Sequence, residues 1–256
     1  MSTRSIIDTH CHLTFPPLCD NLSAVLDRAK QAAVTRVIVP AYDPPSWDEV
    51  AALAASHQHV IYPSLGLHPW VADQPLDLDA LARKLRDSGA VAVGEIGLDG
   101  KIESPSLEVQ IPVLQQQLEL ARDLDLPVIL HCRGAFEELL TMLDRFSPRL
   151  PGVLHAFSRS PELARRFMKL GLYLGIGGAV TRMRARQTRA TVEAVPLERL
   201  VLETDAPSIG LEGVEPIAAE PHHVRNVALA VADLRGITLE AVTTATTDNA
   251  RRLFRF

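Results

Sequence analysis

Eight short apolar runs alternate with helix-patterned segments along 256 residues, and metal-type side chains recur where the runs end. These observations predict an α/β chain folded as a single (β/α)8 TIM barrel over residues 1–256, with an extra C-terminal helix. The length is about that of one such barrel. The runs are Ser5–Thr9, Arg36–Pro40, Val60–Leu65, Ala90–Glu95, Leu126–His131, Gly152–Phe157, Leu172–Ile176 and Arg199–Thr204. They are rich in Val, Ile and Leu without polar alternation, as parallel strands covered on both faces are. An open doubly wound sheet is the alternative architecture for this pattern. An apolar content of 47% with 22% charged residues fits a globular chain with a full core.

The first run leads into His10 and His12. An H-x-H on an extended strand points both imidazoles to one face, where they can share an ion. Cys11 between them, and Cys132 beside His131, are either packed thiols or thiolate ligands. With Cys19 the cysteine count is odd and no C-x-x-C occurs, which predicts reduced thiols. The third run ends at Gly66-Leu67-His68-Pro69, where His68 either lines a substrate pocket or sits in a turn. The fourth ends at Glu95, flanked by glycines, a carboxylate with two oxygens to offer two cations.

Between Glu108 and Asp125 the apolar positions Ile111, Leu114, Leu118, Ala121 and Leu124 lie on one helix face. The fifth and sixth runs carry His131 and His155, each of which alone would pass for a buried core histidine. Arg133 follows and is a candidate substrate contact. Ser160-Pro161-Glu162 opens a helix that Gly171 stops. After the seventh run, Arg182, Arg186 and Arg189 are spaced to share a helix face that meets either a substrate phosphate or solvent. The eighth run leads to Glu203 and Asp205. Asp205, nearer the mouth, takes the metal and catalytic role, and Glu203 a structural one. His57, His59, His222 and His223 read as surface or packing residues, the last two on a post-barrel helix. Leu239–Phe254 is the extra helix.

In a barrel the C-terminal ends of all strands meet at one mouth. His10, His12, Glu95, His131, His155 and Asp205 therefore converge although they span most of the chain. No apolar run approaches the ~20 residues of a membrane span, and Met1-Ser2-Thr3-Arg4 lacks a signal-peptide core. The expectation is a cytoplasmic protein without a membrane or obligate protein partner, a monomer. A net charge of −5 argues against a surface coated by nucleic acid, but not against an enzyme that engages one strand end.

The six residues in this order resemble the TatD family of metal-dependent hydrolases, within the amidohydrolase-like barrels. The matching stretches are IDTHCHL (Ile7–Leu13), GLHP (Gly66–Pro69), GEIGLD (Gly94–Asp99), LPVILHCR (Leu126–Arg133), HAFS (His155–Ser158), LGIGGAVT (Leu174–Thr181), LETDAP (Leu202–Pro207) and NARRLF (Asn249–Phe254). The resemblance implies two divalent ions per chain, of Zn, Mn, Mg, Fe or Ni. It places His10, His12 and Asp205 on the first and His131 and His155 on the second, with Glu95 on both. Asp205 would then stand near the attacking water, with Asp205 and Glu95 the catalytic pair. It further implies a transient nucleic-acid substrate and deoxyribonuclease activity, 3'-5' and exonucleolytic. This chain departs from the family pattern around the substrate. Gly100-Lys101 stands where family members often carry tyrosine, and the loop Ser208–Pro216 is neutral to acidic where many are basic. Ala219-Glu220-Pro221 replaces Asn-Glu-Pro. Those departures keep open a second function, hydrolysis of a carboxylic ester such as a D-aminoacyl-tRNA, or of a small amide. A third reading is a non-catalytic metal-binding barrel, against which the complete ligand set argues.

Overall fold

The computed structural model describes residues 5–146 and 149–256, so the sequence reading of Met1-Ser2-Thr3-Arg4 lies outside the described residues. Eight parallel strands follow one another in sequence order in one sheet. They are β1 (Ile6–Asp8), β2 (Val34–Pro40), β3 (Ile61–Leu65), β4 (Ala92–Asp99), β5 (Val128–Arg133), β6 (Gly152–Leu154), β7 (Tyr173–Ile176) and β8 (Leu200–Leu202). Helices α1 (Leu22–Gln31), α2 (Pro44–Ser56), α3 (Leu78–Asp87), α4 (Leu107–Asp123), α5 (Phe136–Asp144), α6 (Pro161–Lys169), α7 (Arg186–Ala194) and α8 (Val224–Arg235) alternate with them, and α9 (Leu239–Phe254) ends the chain. This is the predicted (β/α)8 barrel with its extra helix. All eight runs form strands, and every residue of β4, β7 and β8 is buried, which is why those runs show no polar alternation.

Two compact units make up the chain. The first holds residues up to 39, 155–168 and 173–256. In it β1 pairs with β2 (Ile7 opposite Arg36) and β7 with β8 (Leu174 opposite Leu200). β8 and β1 are joined where Thr9 N donates to Leu202 O at 3.0 Å and Asp205 N to His10 O at 2.8 Å. Helix α9 packs under these strands: Thr247 Oγ1 donates to Ser5 O, and the Asn249 amide to Leu197 O and Leu200 O. Thr238 caps its start by accepting from Ala241 N.

The second unit holds residues 40–154 and 169–172. β4 and β5 form its longest pair, from Val93 opposite Val128 to Asp99 opposite Arg133. Gly97, at φ 154°, is required there because a Cβ would collide with the backbone carbonyl of His131. Helix α4 buries Leu114, Leu118 and Ala121, as its periodicity predicts, and also two glutamines. Their amides are satisfied by backbone: Gln117 holds Leu67 at both its N–H and C=O, and Gln110 holds Asp99 in the same way. Asp43 caps α2, accepting from Ser46 N at 2.9 Å.

The run boundaries differ from expectation at several strands: β2 starts at Val34, and β6 ends at Leu154, so His155 lies beyond its strand and not within it. β4 continues past Glu95 to Asp99 and β5 past His131 to Arg133, whereas β1 and β8 stop short of His10 and Asp205. The long β4–β5 ladder is possible because glycine at position 97 lets the backbones approach. The arginine prediction also needs correction. α7 begins at Arg186, and Arg182 lies before it with its guanidinium on Gly210 O at 2.9 Å, so the three arginines do not share one helix. His222 and His223 lie in a short 3-10 turn, Pro221–His223, ahead of α8.

Candidate metal centre

In the first unit, β1 and β8 end side by side, and the segments that leave them carry the functional residues. Asp8 ties them together. It is fully buried, and its carboxylate accepts from Thr204 Oγ1 at 2.6 Å, Thr204 N at 3.0 Å and His10 N at 3.3 Å. Burial raises its pKa to about 7 against the opposing pull of those hydrogen bonds. Asp205 sits in left-handed backbone at φ 54°, a conformation costing a non-glycine residue about 1–2 kcal/mol. Its own N–H on His10 O, and Ser208 N and Ile209 N on its carbonyl, hold it there.

The result is a convergence of electron-rich atoms. His10 Nε2 lies 3.3 Å from His12 Nε2, and Asp205 Oδ1 lies 3.2 Å from His12 Nε2 and 3.7 Å from His10 Nε2. All three residues are buried. Two ligand nitrogens about 2.0–2.1 Å from one tetrahedral ion stand roughly 3.3 Å apart, so the imidazole spacing matches a shared divalent cation. A His2Asp donor set suits that chemistry. His155 stacks on His10 with ring centroids 4.2 Å apart and planes 9° from parallel. Burial would raise the Asp205 pKa, but the His12 hydrogen bond and the charges of His10, His155 and His12 hold it below the usual carboxylate value. Glu203, fully buried, accepts from Ala156 N through Oε1, 3.9 Å from His155 Nδ1. Its Oε2 packs on Gly175, where a Cβ would collide with it. Burial lifts its pKa to about 8, against the charge of His155. The residue therefore braces the His155 turn, in keeping with the structural role expected of it.

In the second unit Glu95 Oε1 meets His131 Nδ1 at 3.0 Å and His68 Nε2 at 3.4 Å. Each histidine's other nitrogen is also engaged, and that sets its tautomer. His68 Nδ1 accepts from Trp70 N at 3.1 Å, so the proton of neutral His68 is on Nε2, directed at Glu95. His131 Nε2 faces Asp99 Oδ2 at 3.2 Å, which draws the proton to that nitrogen and leaves the Nδ1 lone pair toward Glu95. Glu95 and His131 can therefore hold a cation, whereas His68 holds Glu95. This places His68 beside the carboxylate rather than only along a substrate pocket.

Asp99 is the functional residue that the sequence reading passed over. It is fully buried and accepts from Trp70 Nε1 at 2.8 Å, Lys101 N at 2.9 Å and Arg133 Nε at 3.1 Å. Burial pushes its pKa up, but the His131 and Trp70 hydrogen bonds outweigh this and hold it well below the ordinary value. The available signal was spacing, since Glu95 and Asp99 are four apart on one strand and so share a face. Arg133 is half-exposed, fixed to Asp99 with its guanidinium over the Trp70 ring.

Cys11, Cys19 and Cys132 form no disulfide with one another. Cys11, fully buried with Sγ 3.6 Å from Ala206 O, is a packed thiol as one of its two readings had it, and burial raises its pKa well above the usual value. Among the described residues, no helix is long and apolar enough to cross a membrane.

Comparison with known proteins agrees with this chemistry. The family described as TatD related DNase matches residues 7–255. The chain is 40% identical over 252 residues to the metal-dependent hydrolase YjjV of Escherichia coli strain K12, covering 97% of each protein. It is 32% identical to the 3'-5' ssDNA/RNA exonuclease TatD of Pantoea ananatis, covering 97% of this chain and 99% of that one. The crystal structure of the Escherichia coli YjjV protein superposes with a TM-score of 0.92 at 39% identity over 98% of both chains. Matched over nearly its whole length by the family model and by these relatives, the chain belongs to the TatD family of metal-dependent hydrolases.

Proposed function

We propose that this protein is a two-ion phosphodiesterase that removes nucleotides from DNA in the 3'-5' direction. The observation that carries the proposal is the convergence of His10, His12 and Asp205 at the spacing of ligands on one cation. His10, His12 and Asp205 would hold the first ion, and His131 and His155 the second, with Glu95 a ligand of both. Four imidazoles and two carboxylates favour Zn, Mn, Fe or Ni over Mg. Divalent ions bound by such a set supply positive charge for the attacked phosphate and lower the pKa of water from ~15.7 toward neutrality. Asp205 would accept the proton of the attacking water at its carboxylate. The water oxygen bonds to phosphorus, the P–O3' bond breaks, and the departing oxygen takes up the proton. His131 is oriented through its Nε2 by Asp99, and Glu95 through His68. The Pantoea ananatis relative named a 3'-5' ssDNA/RNA exonuclease and a human relative named a deoxyribonuclease, 30% identical, support this substrate class. The odd cysteine count without a C-x-x-C fits a cytoplasmic enzyme, which we take to act as a monomer meeting nucleic acid only transiently.

The loop Ser208–Pro216, with Glu212 and Glu215 and no basic residue, favours one second reading, hydrolysis of a carboxylic ester such as a D-aminoacyl-tRNA, or of a small amide. A panel of single-stranded DNA, bis-p-nitrophenyl phosphate and D-aminoacyl-tRNA separates the two. Cleavage of both phosphodiesters is expected, and cleavage of neither rejects the first reading. Glu95→Ala should lose activity together with stoichiometric metal. Full activity in a metal-free Glu95→Ala protein would sink the two-ion mechanism.

A further inference from the structure

Trp70 follows the GLHP stretch in a 3-10 turn, Pro69–Val71, and is 52% exposed. It is the one aromatic among the large apolar side chains exposed in the described residues. A lone exposed apolar residue is ordinary, but this one is anchored. Its indole N–H is committed to the fully buried Asp99 at 2.8 Å, and its backbone N–H to His68 Nδ1. The ring stands edge-on to His68 and His131, with centroids 5.0 Å and 6.3 Å away. With its only donor committed, the indole can offer a ligand nothing but its π surface. Arg133 stands with its guanidinium 5.9 Å from the same ring and is bound to Asp99 through Nε.

We infer that Trp70 and Arg133 form a nucleotide subsite beside Glu95 and His131. The Trp70 indole stacks one base of a single-stranded substrate, and Arg133 meets the adjoining backbone phosphate. Aromatic platforms of this kind accept any base, since every base has a π face, and a guanidinium suits a phosphate oxygen pair. The subsite would supply affinity that the acidic loop Ser208–Pro216 does not. This inference rests on the phosphodiester reading.

The test compares the metal-loaded enzyme on oligothymidylate and on the same oligomer with its terminal residues abasic. The wild type should prefer the base-bearing oligomer by about 5- to 150-fold in kcat/KM, the range of one base–aromatic stack. Trp70→Ala should bring that ratio near one. Trp70→Phe, which keeps a ring but loses the N–H, should hold it within about threefold. Binding gives a second readout, because the chain has two tryptophans and Trp47 is buried with its N–H on Gly66 O. A phosphorothioate oligothymidylate should quench wild-type emission and leave Trp70→Phe emission unquenched. An undiminished ratio in Trp70→Ala overturns the subsite. So do equal losses in both variants on both oligomers, which would mean that Trp70 acts only by holding Asp99. If the wild type cleaves both oligomers without preference, the subsite fails and the phosphodiester reading stands. If it cleaves neither, the phosphodiester reading fails and the subsite with it.

Discussion

The two ligand clusters are built from the same side chains and are differently prepared for a cation. In the first unit His10 Nε2, His12 Nε2 and Asp205 Oδ1 converge within 3.2–3.7 Å, with His12 hydrogen-bonded to Asp205. A shared ion fits that spacing. In the second unit each histidine has a partner at both nitrogens, His68 between Trp70 and Glu95, and His131 between Asp99 and Glu95. There His68 donates to Glu95 and His131 to Asp99, so both rings are oriented before an ion arrives. The difference teaches that a list of ligand residues does not fix how strongly each site needs its ion. The first cluster should retain its metal against a chelator longer than the second.

The largest effect should come from Asp205→Asn. The variant keeps the shape but loses the base and one anionic ligand, so kcat should fall about 10³-fold. Metal analysis should show loss of the ion nearest His10 and His12. A variant retaining wild-type kcat would break the assignment of both roles. Asp99→Asn acts one step further out. Its amide is a poorer partner for the His131 Nε2–H, and losing such a partner weakens metal affinity or activity about 10- to 100-fold. Metal content should drop from two toward one, with the first ion retained, and unchanged content would show that the two clusters do not differ as their hydrogen bonds say. His68→Gln should matter less. If His68 orients Glu95 and does not ligate, two ions remain and kcat/KM falls by a few fold. Loss of a full equivalent of metal in His68→Gln would make it a ligand.

The sequence exposed the two clusters unequally. The first was fully legible, because H-x-H after an apolar run and an acid beyond the eighth run are local signals. The barrel was legible for a similar reason, since each strand is buried on both faces and prints an unbroken apolar run. Asp99 and Trp70 were not legible. Their roles arise from contacts such as Trp70 Nε1 on Asp99, 29 positions apart, which no local pattern encodes. The helix face shared by Arg182, Arg186 and Arg189 failed from the opposite cause. The spacing of Arg182 to the other two was helical, but the helix starts only at Arg186, and the carbonyl of Gly210 captures the Arg182 guanidinium.

The smallest expected effect lies outside both clusters and serves as their control. Glu220 accepts from Arg28 Nε at 2.7 Å and Nη2 at 2.8 Å, and meets His222 Nδ1 at 3.0 Å. Burial tends to raise its pKa, but the Arg28 hydrogen bonds and charge, with those of His222, hold it below the usual value of 4.5. A carboxylate with a depressed folded pKa contributes stability that is present above its unfolded pKa and lost as pH falls through the folded one. Arg28 is 43% exposed, so the pair is screened, and its loss should change Tm by about 2–4 °C at most in a chain of this size. Glu220→Gln should lower Tm by that amount at pH 7, and the gap between variant and wild type should close as the pH is taken below 4. Metal content and kcat should stay at wild-type values throughout. A gap that persists in acid would mean that the side chain acts through packing and the turn it caps, not through its charge. A loss of metal would instead tie this rim to the His10, His12 and Asp205 cluster.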